Sequence, residues 1–179
     1  MRKGFSIAEL IIGIFITLLL VGVSYSVFLL STQVKMTLES RAEIVQNQRA
    51  VLDRMTRELR QANVVLTVLP AAEILFEDGH GNISSTPVQY IRYHVDAGNL
   101  YREVSHYYFT ADPATHVYYN DEDEFGNPPE AAVDEDRLVG EFVTAFNFSG
   151  VDVININISF TDNNQTITLQ TNVAQRNIN

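Results

Sequence analysis

From Leu10 to Leu30 the chain runs for 21 residues without a charged side chain. At about 1.5 Å per helical residue this run matches the roughly 30 Å of bilayer hydrocarbon, so it is long enough to cross a membrane as a helix. Any water-facing domain must then be built from residues beyond Leu30. The chain has 179 residues, which suits one membrane or targeting element plus one compact domain. A removable secretory signal is the competing reading, with Met1-Arg2-Lys3 as its positive leader and the small residues near Gly22 and Ser24 as a loose cleavage site. The apolar run is longer than the usual signal core. Glu9 also sits near its start, where an ionised carboxylate in lipid costs about 2.5–3.5 kcal/mol on insertion scales. By physics alone Glu9 can snorkel to the headgroups from one turn inside the leader. Charge does not orient the span, because Arg2 and Lys3 face Lys35 and Arg41 across it.

The charge is unevenly spread. Residues 1–62 carry 8 basic and 5 acidic side chains (+3), whereas residues 63–179 carry 4 and 17 (−13). A phosphate-tracking surface is disfavoured in the acidic part, and no nucleic-acid partner is expected. The chain has no Cys, which excludes disulfides, a lipidated cysteine, a thiol nucleophile and cysteine-ligated metal centres.

Helical periodicity continues past the apolar run. Leu38, Ala42, Val45, Leu52, Met55, Leu59 and Ala62 recur at steps of three and four, with Gln48 the polar member of the same stripe. Between Val23 and Leu69 there is no Pro or Gly, so the pattern predicts one helix from about Phe5 to about Asn63, roughly 85–90 Å long. Arg49, Arg54, Arg57 and Arg60, with Asp53 and Glu58, are expected on its solvated side.

After Pro70 the period changes to two. Short strands are predicted at 73–76 and 88–95, the second turning through Asp96-Ala97-Gly98-Asn99 into a strand at 100–104. In the second strand Ile91, Tyr93 and Val95 are assigned to one face and Tyr90, Arg92 and His94 to the other. Ile154, Ile156, Ile158 and Phe160 alternate with polar residues, as do Ile167, Leu169, Thr171 and Val173, with Asp162-Asn163-Asn164-Gln165 between them as turn chemistry. This is a hairpin with one buried face, and the amphipathic second half of the long helix is the element available to cover it. The expected fold is therefore α+β, a long N-terminal helix packed on an antiparallel sheet. The acidic, Pro- and Gly-containing stretch 120–136 is expected to be an exposed loop.

Lys3-Gly4-Phe5-Ser6-Ile7-Ala8-Glu9-Leu10, running straight into the apolar helix, resembles the class III signal of type IV prepilins and type II secretion pseudopilins. The resemblance implies a pilin-like fold and a leader, residues 1–4, that prepilin peptidase removes between Gly4 and Phe5. It also implies N-methylation of Phe5 and retention of residues 5–30 as the transmembrane and assembly half of the helix. Residues 31–63 would be its amphipathic half, and 64–179 the sheet domain. The same resemblance gives Glu9 a role in assembly, pairing with the N-terminal amine of a neighbouring subunit. The segments 54–62, 90–104 and 171–177 are further similar to J-type minor pseudopilins and W-type minor pilins. The missing cysteines and the acidic insertion 120–136 depart from many major pilins. The implied partners are prepilin peptidase, other minor subunits and an inner-membrane assembly platform. The implied location is the bacterial inner membrane as a single-pass protein with its sheet domain outside the cytoplasm, then the pilus or pseudopilus.

Other chemistry is thinly supported. Asp121, Asp123 and Glu124 are calcium candidates by spacing, but Phe125 and Ala132 stand where an EF-hand needs oxygen ligands. Solvated acid is the preferred reading there, and no cofactor is expected. His80, His94, His106 and His116 lack zinc-ligand spacing. No phosphate loop or nucleophile elbow occurs, so no enzyme is expected. The alternatives to an assembly subunit are an adhesive or DNA-uptake minor pilin and, in another class, a single-span membrane-tethered sensor or enzyme domain.

Overall fold

The structure is a computed structural model that describes residues 6–79, 87–162 and 165–174. The protein is α+β, an apolar N-terminal helix followed by antiparallel sheets. It divides into two compact units, residues 1–46 and 47–179. Helix α1, Ile7–Gln61, begins in the first and ends in the second.

In the first unit, every described side chain from Ser6 to Ser31 is exposed, the large apolar ones included. The segment Ile7–Lys35, with mean hydropathy 2.5, is long and apolar enough to cross a membrane. Hydroxyls in it are compatible with lipid where they bond back along the helix. Thr17 Oγ1 donates to the Gly13 carbonyl at 2.8 Å and Ser26 Oγ to that of Gly22 at 2.9 Å.

The second unit holds two antiparallel sheets where the sequence predicts one. The larger contains β1 (Ile74–Glu77), β2 (Tyr90–Asp96), β3 (Asn99–Phe109), β4 (Asp112–Val117) and β5 (Glu130–Gly140). Strand β3 is central: β2 and then β4 line one edge of it, and β5 runs along the other. The smaller sheet is β6 (Val143–Ser149), β7 (Val153–Asp162) and β8 (Gln165–Ala174), in that order. The β2–β3 turn is the two-residue Ala97-Gly98, closed by the pair Asp96 and Asn99. Both turn residues have positive φ, 47° and 81°, the geometry that matches strand twist and that Gly98 adopts without a Cβ penalty.

One core joins the C-terminal end of the helix to the sheets. Met55, Leu59 and Ala62 are fully buried with Ile74, Phe76, Tyr93 and Leu100 of the larger sheet, and Phe148, Ile154, Ile156, Ile158, Phe160 and Val173 of the smaller belong to the same cluster. The stripe is therefore core only towards its C-terminal end. Val45 and Leu52 are half-buried, Gln48 is buried, and Leu38 and Ala42 are exposed. Ile154, Ile156, Ile158 and Phe160 of β7 all face in, as their alternation requires.

Two expectations need correction. Only 120–129 of the acidic region 120–136 lacks strand structure, because residues 130–136 belong to β5. Acidic residues are poor strand formers in isolation, but β3 supplies a partner along 100–108 and pairing overrides propensity. Register shifts also break β5's alternation, one of them leaving Asp134 as the extra residue between Val133 and Glu135. The alternation of β2 puts Tyr90 on the face opposite Tyr93, yet both are fully buried. Tyr90 packs edge-on to Tyr107 at 4.8 Å, and its hydroxyl accepts the Tyr119 N–H at 3.0 Å. Arg54 and Glu58, expected on a solvated face, instead join a part-buried cluster with Tyr93 and Arg102.

Candidate functional site

The leader residues Met1–Gly4 and Phe5 lie outside the described residues. Ser6 is the N-cap of α1. Its Oγ accepts the Glu9 N–H at 3.2 Å, and Glu9 Oε2 accepts the Ser6 N–H at 2.9 Å. This reciprocal capping box satisfies two backbone donors that would otherwise be orphaned at a helix end. It turns the Glu9 carboxylate back towards the chain start, onto the amide bonded to Phe5. The Ser-x-x-Glu spacing is the sequence signal for this cap, and a reading of Glu9 as a lone charge passes over it. Glu9, Leu10, Gly13, Ile14, Thr17 and Leu18 line a shallow open groove of about 480 Å³ on the same helix face. An added Cβ at Gly13 or Gly22 would meet nothing within 4 Å, so nothing described in this chain requires glycine at either.

Of the calcium candidates, Asp121 and Asp123 are turned to internal donors. Asp121 Oδ2 accepts the Tyr118 N–H at 2.8 Å. Asp123 Oδ1 accepts the N–H groups of Phe125 and Asn127, both at 2.8 Å, and its Oδ2 accepts Asn127 Nδ2 at 2.9 Å. The Asn127 side-chain amide, then the Asn127 backbone N–H, hold the Asp123 carboxyl below its usual range. These bonds define a tight turn at 123–127. Glu124 is exposed beside it. Among the described residues no three His, Asp or Glu side chains gather as a metal site.

Of the histidines, His80 lies outside the described residues and His94 stacks on Tyr101. His106 and His116 stack face to face, 3.9 Å apart and 5° from parallel, with His106 Nδ1 2.8 Å from the bulged Asp134. Parallel rings hold their nitrogen lone pairs in parallel planes, which do not converge on one ion.

The principal polar cluster of the second unit is not visible to sequence reasoning. Glu58 of α1 accepts the Tyr93 hydroxyl at 2.6 Å and Arg102 Nε at 3.1 Å, and Arg54 Nε reaches it at 3.0 Å. Arg102 also reaches Glu135 at 3.6 Å. Burial works to raise the Glu58 carboxyl, but the bonds from Tyr93, Arg102 and Arg54 outweigh it and hold it below its ordinary value. Burial and then the Glu58 charge push the Tyr93 hydroxyl up. Each member is held by another member of the chain, so the cluster ties α1 to β2 and β3 and reads as a structural tie. No family model, curated protein or solved structure matches this chain.

Proposed function

We propose that the chain is a minor pilin or pseudopilin. In this reading it is inserted in the bacterial inner membrane, cut after Gly4, methylated on Phe5 and assembled through its N-terminal helix into a type II secretion pseudopilus or type IV pilus tip. The observation that carries the reading is the Lys3-Gly4-Phe5 to Glu9 motif placed directly before an apolar helix whose side chains from Ser6 to Ser31 are all exposed. Two physical points support it. A helix of membrane-spanning length gains nothing from Gly13 and Gly22, each about 1 kcal/mol poorer than Ala in a helix, unless another helix approaches there. Glu9 faces the same groove as Gly13 and points to the amide next to Phe5, where cleavage would create a positive amine.

Glu9 therefore does two things: it caps its own helix through Oε2 and offers its remaining acceptor sites to a cation. The test is incorporation into the minor-subunit complex, scored beside processing. Glu9→Gln keeps an amide oxygen for the cap and removes the charge, whereas Glu9→Leu removes both. Both variants are expected to insert, to be processed and to be incorporated poorly. Normal incorporation of Glu9→Leu would contradict the pairing role.

A further inference from the structure

The two sheets have five outer edges, and they are treated unequally. Chain segment 64–67 covers β1, with Glu77 N–H donating to the Val64 carbonyl at 2.9 Å and Leu66 N–H to that of Leu75 at 2.8 Å. Ala71 occupies the edge of β6 at one position, exchanging two bonds with Phe148 at 3.0 and 2.8 Å. Strand β4 has only 6 residues and contains Pro113. Strand β5 carries Glu130, Asp134, Glu135, Asp136 and Arg137 and two register shifts. These are the devices by which sheet edges avoid pairing with other chains: cover, shortness, proline, charge and bulges.

Among the described residues strand β8 shows none of them. It runs 10 residues, Gln-Thr-Ile-Thr-Leu-Gln-Thr-Asn-Val-Ala, with no charge, no Pro and no Gly. Its register with β7 is unbroken from the Val153 and Ala174 pair to that of Asp162 and Gln165. Among the described residues no backbone bond reaches its outer edge. Core cover thins along it. Val173, opposite Ile154, is fully buried, whereas Thr171, Leu169 and Ile167, opposite Ile156, Ile158 and Phe160 on the same face, are half-buried.

We propose that the outer edge of β8 is a strand-addition site for an extended segment of another protein chain. That segment would have apolar side chains at every second position and a neutral or basic charge. Period-two apolar residues would extend the cover over Ile167 and Leu169, and the outward N–H and C=O groups of β8 would give backbone affinity. The charge follows from the surroundings. Residues 63–179 carry −13, so an acidic segment or a second copy of the same domain meets like charge, while the charge-free β8 adds no repulsion of its own. The proposal goes beyond the assembly reading and stands apart from it, since leader cleavage tests one and the β8 edge tests the other.

The test is amide hydrogen exchange on the full chain in detergent micelles. The probe is a synthetic peptide of about ten residues alternating Val with Thr and ending in Lys, matched in length to β8. Its twin is N-methylated at alternate amides. With the peptide at about ten times its Kd, the outward β8 amides are expected to exchange about tenfold more slowly, and the N-methylated twin to have no effect. Thr171→Lys, which puts a charge on the half-buried side of the edge, should abolish the protection, with unchanged exchange in β7 showing that the fold persists. The proposal is overturned by unchanged β8 exchange, by equal slowing from both peptides, or by outward β8 amides already as slow as those of β7 without peptide. Slowing that grows with protein concentration alone would also overturn it, since the occupant would then be a second copy.

Discussion

Glu58 and Glu77 show how two carboxylates beside one core take opposite pH roles. Glu58 is held below 4.5 by Tyr93, Arg102 and Arg54 in spite of burial, so the native state binds its proton less tightly than the unfolded chain. Its contribution is full above about pH 4.5 and is lost as the pH falls through the lower native value. Glu77 is raised above 4.5, first by burial, with the Asp78 charge adding and the Asn63 amide opposing. Its contribution is largest at low pH and shrinks as the pH rises from 4.5 through the native value. Glu58→Gln leaves Arg102, 8% exposed, with only the more distant Glu135 carboxylate at 3.6 Å and should cost about 1–3 kcal/mol at pH 7. Urea unfolding between pH 3 and 7 checks the sign: the variant's penalty should shrink towards pH 3. A penalty independent of pH would show that Glu58 contributes shape and not charge.

At the scale of elements, legibility tracks the strength of local pattern. The sequence predicts a helix over 5–63 and the structure has Ile7–Gln61, because an unbroken apolar and amphipathic run without Pro or Gly after Gly22 favours one continuous helix. The β7–β8 alternation and the Ala97-Gly98 turn are equally readable, since each is dictated by residues adjacent in sequence. Strands β4, β5 and β6 are not readable in the same way. Their pairing is supplied by β3 or β7, and the acidic residues and bulges of β5 hide any alternation. Glu58 looks solvated in the sequence because it sits among arginines; only the fold brings Tyr93 and Arg102, 35 and 44 residues away, onto it. The turn offers a direct check. Ala97 holds φ 47°, where Asn is favoured over Ala, so Ala97→Asn should stabilise by about 0.5–1 kcal/mol in thermal melts. Gly98→Ala, at φ 81°, should destabilise by about 1 kcal/mol.

For the whole molecule, the division of labour between the two units is chemical. In the first unit the segment Ile7–Lys35 presents exposed apolar surface with a capped carboxylate near its start, whereas the core enclosed within residues 47–179 draws, among the described residues, on Val51 and later ones. A fragment of residues 47–179 should therefore fold cooperatively without detergent, with two-state urea unfolding and native-like strand content by circular dichroism. A non-cooperative melt would mean that the first unit is needed to complete the core. The candidate site is legible in outline as the motif around Glu9. The Ser-x-x-Glu spacing carries the signal for the cap, and the geometry adds that the Glu9 carboxylate is turned onto the Ser6 amide. The central claim, that residues 1–4 are a prepilin leader and the apolar helix is kept for assembly, is tested most directly by the intact mass of the protein purified after co-expression with a prepilin peptidase. The expected mass corresponds to loss of Met1 to Gly4 and gain of one methyl group on Phe5. A chain that keeps its leader, or one cut near Ser24, would contradict it.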